Sequence, residues 1–311
     1  MEHYVTLFDS LFLPQGLALH MSMERHAGEY TLWILCVDDD VHVALSQLNL
    51  PNVQLLLLSK LETPELLKIK STRTKGEYCW TLTPFAPRFV FEENSKIPRV
   101  TYIDADVWFR KNPKPIFEEF QSSGKQVLIT DHAYAPEYDK SATSGQYCVQ
   151  FMTFTRSGGE VVRKWWEERC IEWCFARFED GKFGDQKYLD DWPVRFENLV
   201  HVLLRQEWTL APWNAIRFPF GQGIFYHFHG LRITNGHGFD FGGSYFLPRA
   251  LIVNIYEPYT IDIKHSIETL EKYGITINAQ AKKITRFILF KRFLKGSYHQ
   301  LKKLNFLNYK N

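Results

Sequence analysis

The chain has 311 residues, 45% hydrophobic and 16% aromatic, which excludes a disordered polymer and allows one large domain or two. Its formal charge of +2 conceals an asymmetry: ten Lys or Arg and no acid fall in residues 272–311, leaving residues 1–271 with 27 basic against 35 acidic side chains. The five cysteines lack metal-site spacing, their odd number does not suit a disulfide framework, and no run approaches the ~18 apolar residues of a membrane span.

Taken in chain order, residues 4–8 read as a strand, followed by a loop around Pro14 and Gly16 and an apolar helix over 17–25. A second strand over 31–37 ends at Asp38, Asp39 and Asp40, and a third covers 53–58. Helical stretches at 41–48 and 65–70 alternate with them, the pattern of βαβ units and a parallel sheet.

The segment 100–109 reads Val-Thr-Tyr-Ile-Asp-Ala-Asp-Val-Trp-Phe, a β-rich run interrupted by Asp104 and Asp106. Strand residues i and i+2 project to one side, so the two carboxylates converge. Two unpaired negative charges in an apolar setting are costly to bury, and a divalent cation removes that cost. This pair falls at the carboxyl end of a central strand, where open α/β sheets place their ligands.

Beyond it, 127–130 and 148–155 read as strands and 159–178 as a Trp-rich helix in which Cys170 and Cys174 sit one turn apart as packing residues. A short helix is expected over 185–192, behind Phe183-Gly184. From Trp208 onward the chain is rich in Gly, His and aromatic residues, with Tyr226-His227-Phe228-His229-Gly230 the densest run. His229 lies at strand spacing from His227, so either imidazole can join the two carboxylates. Asp185 reads as a helix cap or a site carboxylate, and Trp213-Asn214 as a core aromatic with a turn amide or as an acceptor contact.

Four pieces occur in order: the first strand with Thr6, Leu7, Phe8 and Asp9; Ile103-Asp104-Ala105-Asp106; Gly184-Asp185-Gln186; and His227-Phe228-His229-Gly230. Together they resemble the GT-A glycosyltransferases, most closely the glycogenin and lipopolysaccharide galactosyltransferase type, over about residues 3–235. The resemblance implies an α/β fold with a Rossmann-like nucleotide-diphospho-sugar transferase sheet and a C-terminal helical extension. It implies uridine binding by Thr6, Leu7, Phe8 and Asp9, metal and diphosphate binding around Asp104, Ala105 and Asp106, and a third metal ligand in His227 near Gly230. It further implies that Asp185 and Gln186 approach the donor sugar and acceptor, and that transfer retains anomeric configuration. Two departures stand out. The Lys-Pro-Trp that follows the late His motif is absent, leaving Arg232, with Arg88, to meet phosphate, and the usual Asn-Ser-Gly is Cys148-Val149-Gln150, which hands the amide role near the sugar to Gln150.

Two carboxylates and an imidazole suit Mn²⁺ or Mg²⁺, and the resemblance implies a UDP-sugar as donor and a saccharide or lipid-linked saccharide as acceptor. The expected organisation is a transferase domain over 1–250 and an extension over 251–311. Within that extension, residues 282–311 carry nine Lys or Arg interleaved with Ile284, Phe287, Ile288, Phe290, Phe293 and Leu294. Such a segment suits the anionic surface of a membrane, or a helix that packs on the acidic body or in a dimer, and no nucleic-acid motif accompanies it. The expected location is cytoplasmic, at the inner face of the membrane, in lipopolysaccharide or surface polysaccharide assembly. The rivals are an inverting transferase on the same fold and a non-catalytic binder of sugar nucleotides or glycans.

Overall fold

The structure is a computed structural model that describes residues 1–242 and 244–281. The basic segment 282–311 lies outside the described residues. Twelve strands are present among those described: β1 (Glu2–Phe8), β2 (Tyr30–Cys36), β3 (Val53–Leu57), β4 (Arg99–Ile103), β5 (Val107–Phe109), β6 (Val127–Asp131), β7 (Tyr147–Thr155), β8 (Val200–Val202), β9 (Thr209–Leu210), β10 (Phe225–His227), β11 (Arg232–Thr234) and β12 (Gly238–Asp240). The helices are α1 (Leu13–His26), α2 (Asp39–Leu48), α3 (Pro64–Lys70), α4 (Lys75–Leu82), α5 (Phe85–Glu93), α6 (Lys114–Ser123), α7 (Ser141–Ser144), α8 (Gly159–Glu172), α9 (Trp192–Arg195), α10 (Arg249–Leu251) and α11 (Glu257–Lys272).

The main sheet has the order β3-β2-β1-β4-β7-β6-β8. Side chains alternate along its strands and feed a separate core on each face. Val5, Leu7, Trp33 and Leu35 pack with Leu66, Leu82, Phe85, Phe89 and Trp166, which come from α3, α4, α5 and α8. Tyr4, Phe8, Leu32, Ile34 and Cys36 pack on the opposite face with Leu17, Met23, Val41, Leu45, Phe117 and Phe120, from α1, α2 and α6. The result is a three-layer α/β/α arrangement.

The sheet is mixed, where alternating strands and helices predict a parallel one. β1, β2, β3 and β4 are parallel, but β7 runs antiparallel between β4 and β6. Strand propensity carries no direction, so only the pairing reveals the reversal. The chain builds β2 and β3 on one side of β1 and then β4 on the other. That change of side opens a crevice at the carboxyl ends of β1 and β4.

The helix expected over 159–178 ends at Glu172, and Trp173 is extended. The Arg73 guanidinium donates to the Cys170 and Ile171 carbonyls at 2.6 and 2.7 Å, satisfying groups that a further helical turn would otherwise bond. All five cysteines are free.

A second layer stands over the crevice. β5, β10 and β9 form a small sheet, and β11 pairs with β12. α11 closes this layer: the Trp108 indole donates to Asp262 at 2.7 Å, Asp262 also pairs with Arg25 of α1, and the Phe228 and Tyr259 rings stack 3.6 Å apart. Tyr256, Tyr259, Ile263 and Ile267 share one core with Trp108, Tyr226 and Phe228. Residues 251–272 therefore pack against the small sheet that carries Trp108 and Tyr226.

Candidate active site

β4 ends at Ile103, and the chain turns at once, with the Val107 amide donating to the Asp104 carbonyl at 3.1 Å. Asp104 and Asp106 converge because of this turn rather than through the pleat of a continuing strand. β5 follows and pairs antiparallel with β10 in a register that sets His227 opposite Val107. The Phe228 amide donates to the Asp106 carbonyl at 2.9 Å and extends the ladder. Through that pairing the His227 Nε2 comes within 3.1 Å of Asp106 Oδ1 and 3.7 Å of Asp104 Oδ2.

One ligand atom from each of Asp104, Asp106 and His227 lies within 4.8 Å of the others, and they form the sole such group among the described residues. His229 is not a member. The side chains of Asp104 and Asp106 remain 22% and 16% exposed and that of His227 8%, so the carboxylates keep an open face. Tyr102, two residues before Asp104 on β4, donates its hydroxyl to Asp104 Oδ1 at 2.9 Å. The Asp104 amide donates to the Gln150 carbonyl at 3.2 Å.

The electrostatics are those of a site short of positive charge. Burial pushes the Asp104 carboxyl up, His227 lowers it and the adjacent Asp106 charge raises it further. Burial opposes ionisation of Asp106 as well, yet the His227 imidazole outweighs it and holds this carboxyl down at about 2. Burial also disfavours a charged His227, but Asp106 and Asp104 overcome it and raise the imidazole well above the ordinary histidine range. The pair draws a positive charge to itself. An imidazole proton or a divalent cation can supply it.

Asp185 is 3% exposed, and its main-chain carbonyl accepts from the Trp166 indole at 2.8 Å. Thr83 lies close enough to lower both the Asp185 carboxyl and the Tyr102 hydroxyl, while its own hydroxyl donates to the Cys79 carbonyl at 3.4 Å. Burial pushes the Asp185 carboxyl up to about 7, with the Asp104 charge adding to the effect, and its Oδ2 has no hydrogen-bond partner among the described residues. Gly184, at φ +53, sets up this turn, and a Cβ there would stand 3.2 Å from the Trp80 ring. Gln186 is half-buried and donates to the Ser144 carbonyl at 2.7 Å.

Of the residues expected around the nucleotide, Thr6, Leu7 and Phe8 are interior to the sheet, so their side chains face the core. Ala105 is likewise buried between the two carboxylates. Asp9 stands at the mouth of the crevice, bonded to the Leu11 amide at 3.0 Å and paired with Lys75 at 2.8 Å. Lys75 also reaches Asp38 at 3.2 Å, and Asp38 accepts from the amide and hydroxyl of Ser10. Lys75 and Ser10 carry no motif and were missed, whereas the acid run at Asp38 marked the end of β2. Arg232 lies close enough to Asp106 to lower its carboxyl, and its guanidinium sits 5.7 Å from the Phe12 ring centroid. Gly230, at φ +82, lies against Gly242, where a Cβ would meet the Gly230 carbonyl oxygen at 3.0 Å.

Two expectations are corrected by position. Arg88 pairs with Glu92 at 2.7 Å and Glu167 at 3.9 Å, lining a separate cleft of about 590 Å³ with Arg156, Glu160, Arg163 and Lys164. It sits within α5, whose packing turns it toward α8 and away from the carboxylate pair. Gln150 is fully buried, and its side-chain oxygen accepts from His227 Nδ1 at 2.8 Å, so it stands behind the imidazole and not in open space. Asn214 is also resolved: it is a buried turn amide bonded to Ala211, His132 and Thr209. Trp213, by contrast, sets its ring at 5.4 Å from His227 and 5.5 Å from His229, within an aromatic wall that includes His132, Tyr134 and Tyr245.

No protein-family model matches the chain. YfnF of Bacillus subtilis (strain 168) is 31% identical over 298 residues, which cover 90% of this chain and 97% of YfnF. The chain belongs to the YfnF family. YfnD of the same organism is 30% identical over 292 residues, covering 86% of this chain and 91% of YfnD, and both relatives are described as uncharacterised. Among solved structures, the galactosyltransferase LgtC in complex with donor and acceptor sugar analogues superposes with a TM-score of 0.52 at 12% identity, over 85% of this chain and 95% of LgtC. The glycosyltransferase GlyE of Streptococcus pneumoniae TIGR4 gives 0.53 at 14% identity, over 90% of this chain and 65% of GlyE. These likenesses place the YfnF-family chain on the GT-A fold of the glycosyltransferases.

Proposed function

We propose that the protein is a metal-dependent glycosyltransferase that moves a hexose from a UDP-sugar to a saccharide acceptor with retention of configuration. The observation that carries this reading is the grouping of Asp104, Asp106 and His227 at the crevice of a GT-A sheet, with Asp185 near enough to feel the Asp104 charge. Two oxygen donors and one nitrogen donor fit a divalent ion that accepts both, which favours Mn²⁺ over the more strictly oxygen-seeking Mg²⁺. Bound there, such an ion would supply the positive charge that a departing diphosphate needs.

The chain's own residues do the rest. The exposed faces of Asp104 and Asp106 orient the metal-binding edge toward solvent, and Tyr102 and His227 hold the two carboxylates in place. Arg232 adds a fixed positive charge between Phe12 and Asp106, where phosphate oxygens gain from it. Asp185 presents an unpartnered oxygen, suited to hold a hydroxyl of the donor sugar, and Gln186 stands next to it. The polar array of Asp9, Ser10, Asp38 and Lys75 at the ends of β1 and β2 supports nucleoside binding. The aromatic wall around Trp213 flanks the imidazole and suits a sugar acceptor.

Within this reading the acceptor is lipid-linked, and the enzyme works at the inner face of the cytoplasmic membrane in lipopolysaccharide or surface polysaccharide assembly. The basic amphipathic stretch 282–311 supports that location. No helix among the described residues is long and apolar enough to cross a membrane.

The test is incubation with a panel of UDP-hexoses and Mn²⁺, with and without glycan acceptors. UDP release that depends on both metal and acceptor supports transfer, and NMR of the purified product gives its anomeric configuration. A product of opposite configuration to the donor would replace retention by inversion. Tight UDP-sugar binding without UDP release under any condition would make the protein a binder.

A further inference from the structure

We infer that Gln150 is the positioning residue of the metal group: it selects which nitrogen of His227 faces the carboxylates. This inference rests on the metal-site reading above. Gln150 lies on β7, which pairs antiparallel with β4 so that Ile103 faces Phe151. From that place its main-chain carbonyl accepts from the Asp104 amide at 3.2 Å, and its side-chain oxygen accepts from His227 Nδ1 at 2.8 Å. One residue thus touches both halves of the donor set, the carboxylate turn through its backbone and the imidazole through its side chain.

The chemistry follows from the tautomer. A carbonyl oxygen at Nδ1 keeps a proton on that nitrogen, so Nε2 is the nitrogen that faces Asp104 and Asp106 and whose proton a cation would displace. Asp106 and Asp104 face Nε2, and the ring's other neighbours are Cys148 and the aromatic edges of Trp213 and His229, so the oxygen at Nδ1 is the one Gln150 supplies. Gln150 is 0% exposed, and its Nε2 has no hydrogen-bond partner among the described residues. An interior amide that leaves half its bonding capacity unused is a poor structural choice. Its oxygen explains its presence.

The experiment compares Gln150→Met, of similar volume and no hydrogen-bonding capacity, with Gln150→Glu, which keeps an acceptor at Nδ1. Mn²⁺ affinity is measured on the full chain by titration calorimetry and by the loss of the free-ion EPR signal. His227→Ala serves as reference. We expect Gln150→Met to bind Mn²⁺ 10- to 100-fold more weakly, with a metal-free melting temperature equal to or above that of the wild type. Gln150→Glu should restore binding to within a few-fold. A purely structural role would instead lower the metal-free melting temperature and leave the affinity unchanged, and that result overturns the inference. If Gln150→Met does not fold, Gln150→Glu carries the test: ¹⁵N-resolved NMR of its imidazole showing the proton on Nε2 and not Nδ1 refutes the assignment. Equal Mn²⁺ affinity in Gln150→Met and wild type, with His227→Ala weakened, rejects the role of Gln150 while the metal site stands. No Mn²⁺ binding by the wild type rejects both.

Discussion

Asp185→Asn should make the protein more stable at neutral and mildly alkaline pH and leave it unchanged or less stable in acid. Burial is the main reason that the folded-state Asp185 carboxyl titrates at about 7, against about 3.9 for an unfolded aspartate. Below pH ~4 both states hold the proton, and the residue contributes no pH dependence. Between the two values the unfolded chain releases its proton while the native protein keeps it, so native stability falls by about 1.4 kcal/mol per pH unit. Above pH ~7 the loss levels off at about 4 kcal/mol. An asparagine carries no such penalty. It does place an amide where the Oδ2 of Asp185 has no partner, which costs about 1–3 kcal/mol. The net gain at pH 8 is therefore about 1–3 kcal/mol, turning into a loss of at most about 2 kcal/mol near pH 4.5. Urea unfolding of wild type and variant in chelator, from pH 4.5 to 8, measures the difference directly. A stability difference that is constant with pH, or that favours the variant most in acid, would refute the burial argument. The same variant should lose sugar transfer at every pH, because the amide replaces a carboxylate in the proposed sugar site.

Other expectations follow from positions in the site. Asp106→Ala should abolish metal-dependent transfer with unchanged circular dichroism, and near-normal turnover by the folded variant would remove the metal assignment. His227→Ala should raise the Mn²⁺ concentration for half-maximal activity by at least tenfold, while His229→Ala leaves it within about twofold; the reverse ranking would mean that the imidazoles exchange roles. Arg88→Ala should keep the wild-type KM for donor within about twofold, since its partners are Glu92 and Glu167, and a large rise in KM would return it to the phosphate site. Removal of residues 282–311 should reduce co-sedimentation with anionic but not neutral liposomes, an attraction that salt weakens, and equal sedimentation of both forms would dismiss the membrane contact.

Much of the sheet's first half was readable from residues 1–109. Apolar strands ending in acids, spaced by amphipathic helices, specify both the sheet and the edge at which ligands gather, and Asp104 and Asp106 fall on that edge. The third member of the group was less accessible. His227 and His229 share one strand-period pattern, and only the register of β5 against β10 separates them. Long-range pairing of three-residue strands leaves almost no local signature. The direction of β7 was hidden for the same reason, and with it the position of Gln150, whose burial depends on β4 and β6 lying on either side. No local signal places Arg88: it lies on a regular helix that Pro84 precedes and that holds Pro87 in its first turn, and only the packing of that helix decides what its guanidinium meets.

The central place of β1 in the sheet has a consequence for the order of synthesis. β1 is flanked by β2 at residues 30–36 and by β4 at residues 99–103. Its second neighbour leaves the ribosome about 90 residues after it, roughly 5–20 s later at cellular elongation rates. Throughout that interval one edge of an apolar strand has no native partner, and such edges recruit other chains. His227 emerges later still, so the nascent chain carries Asp104 and Asp106 long before the imidazole that balances them. Fragments that stop short of β4 should aggregate, while those that reach β7 should be protected, since by then both edges of β1 and β4 are covered.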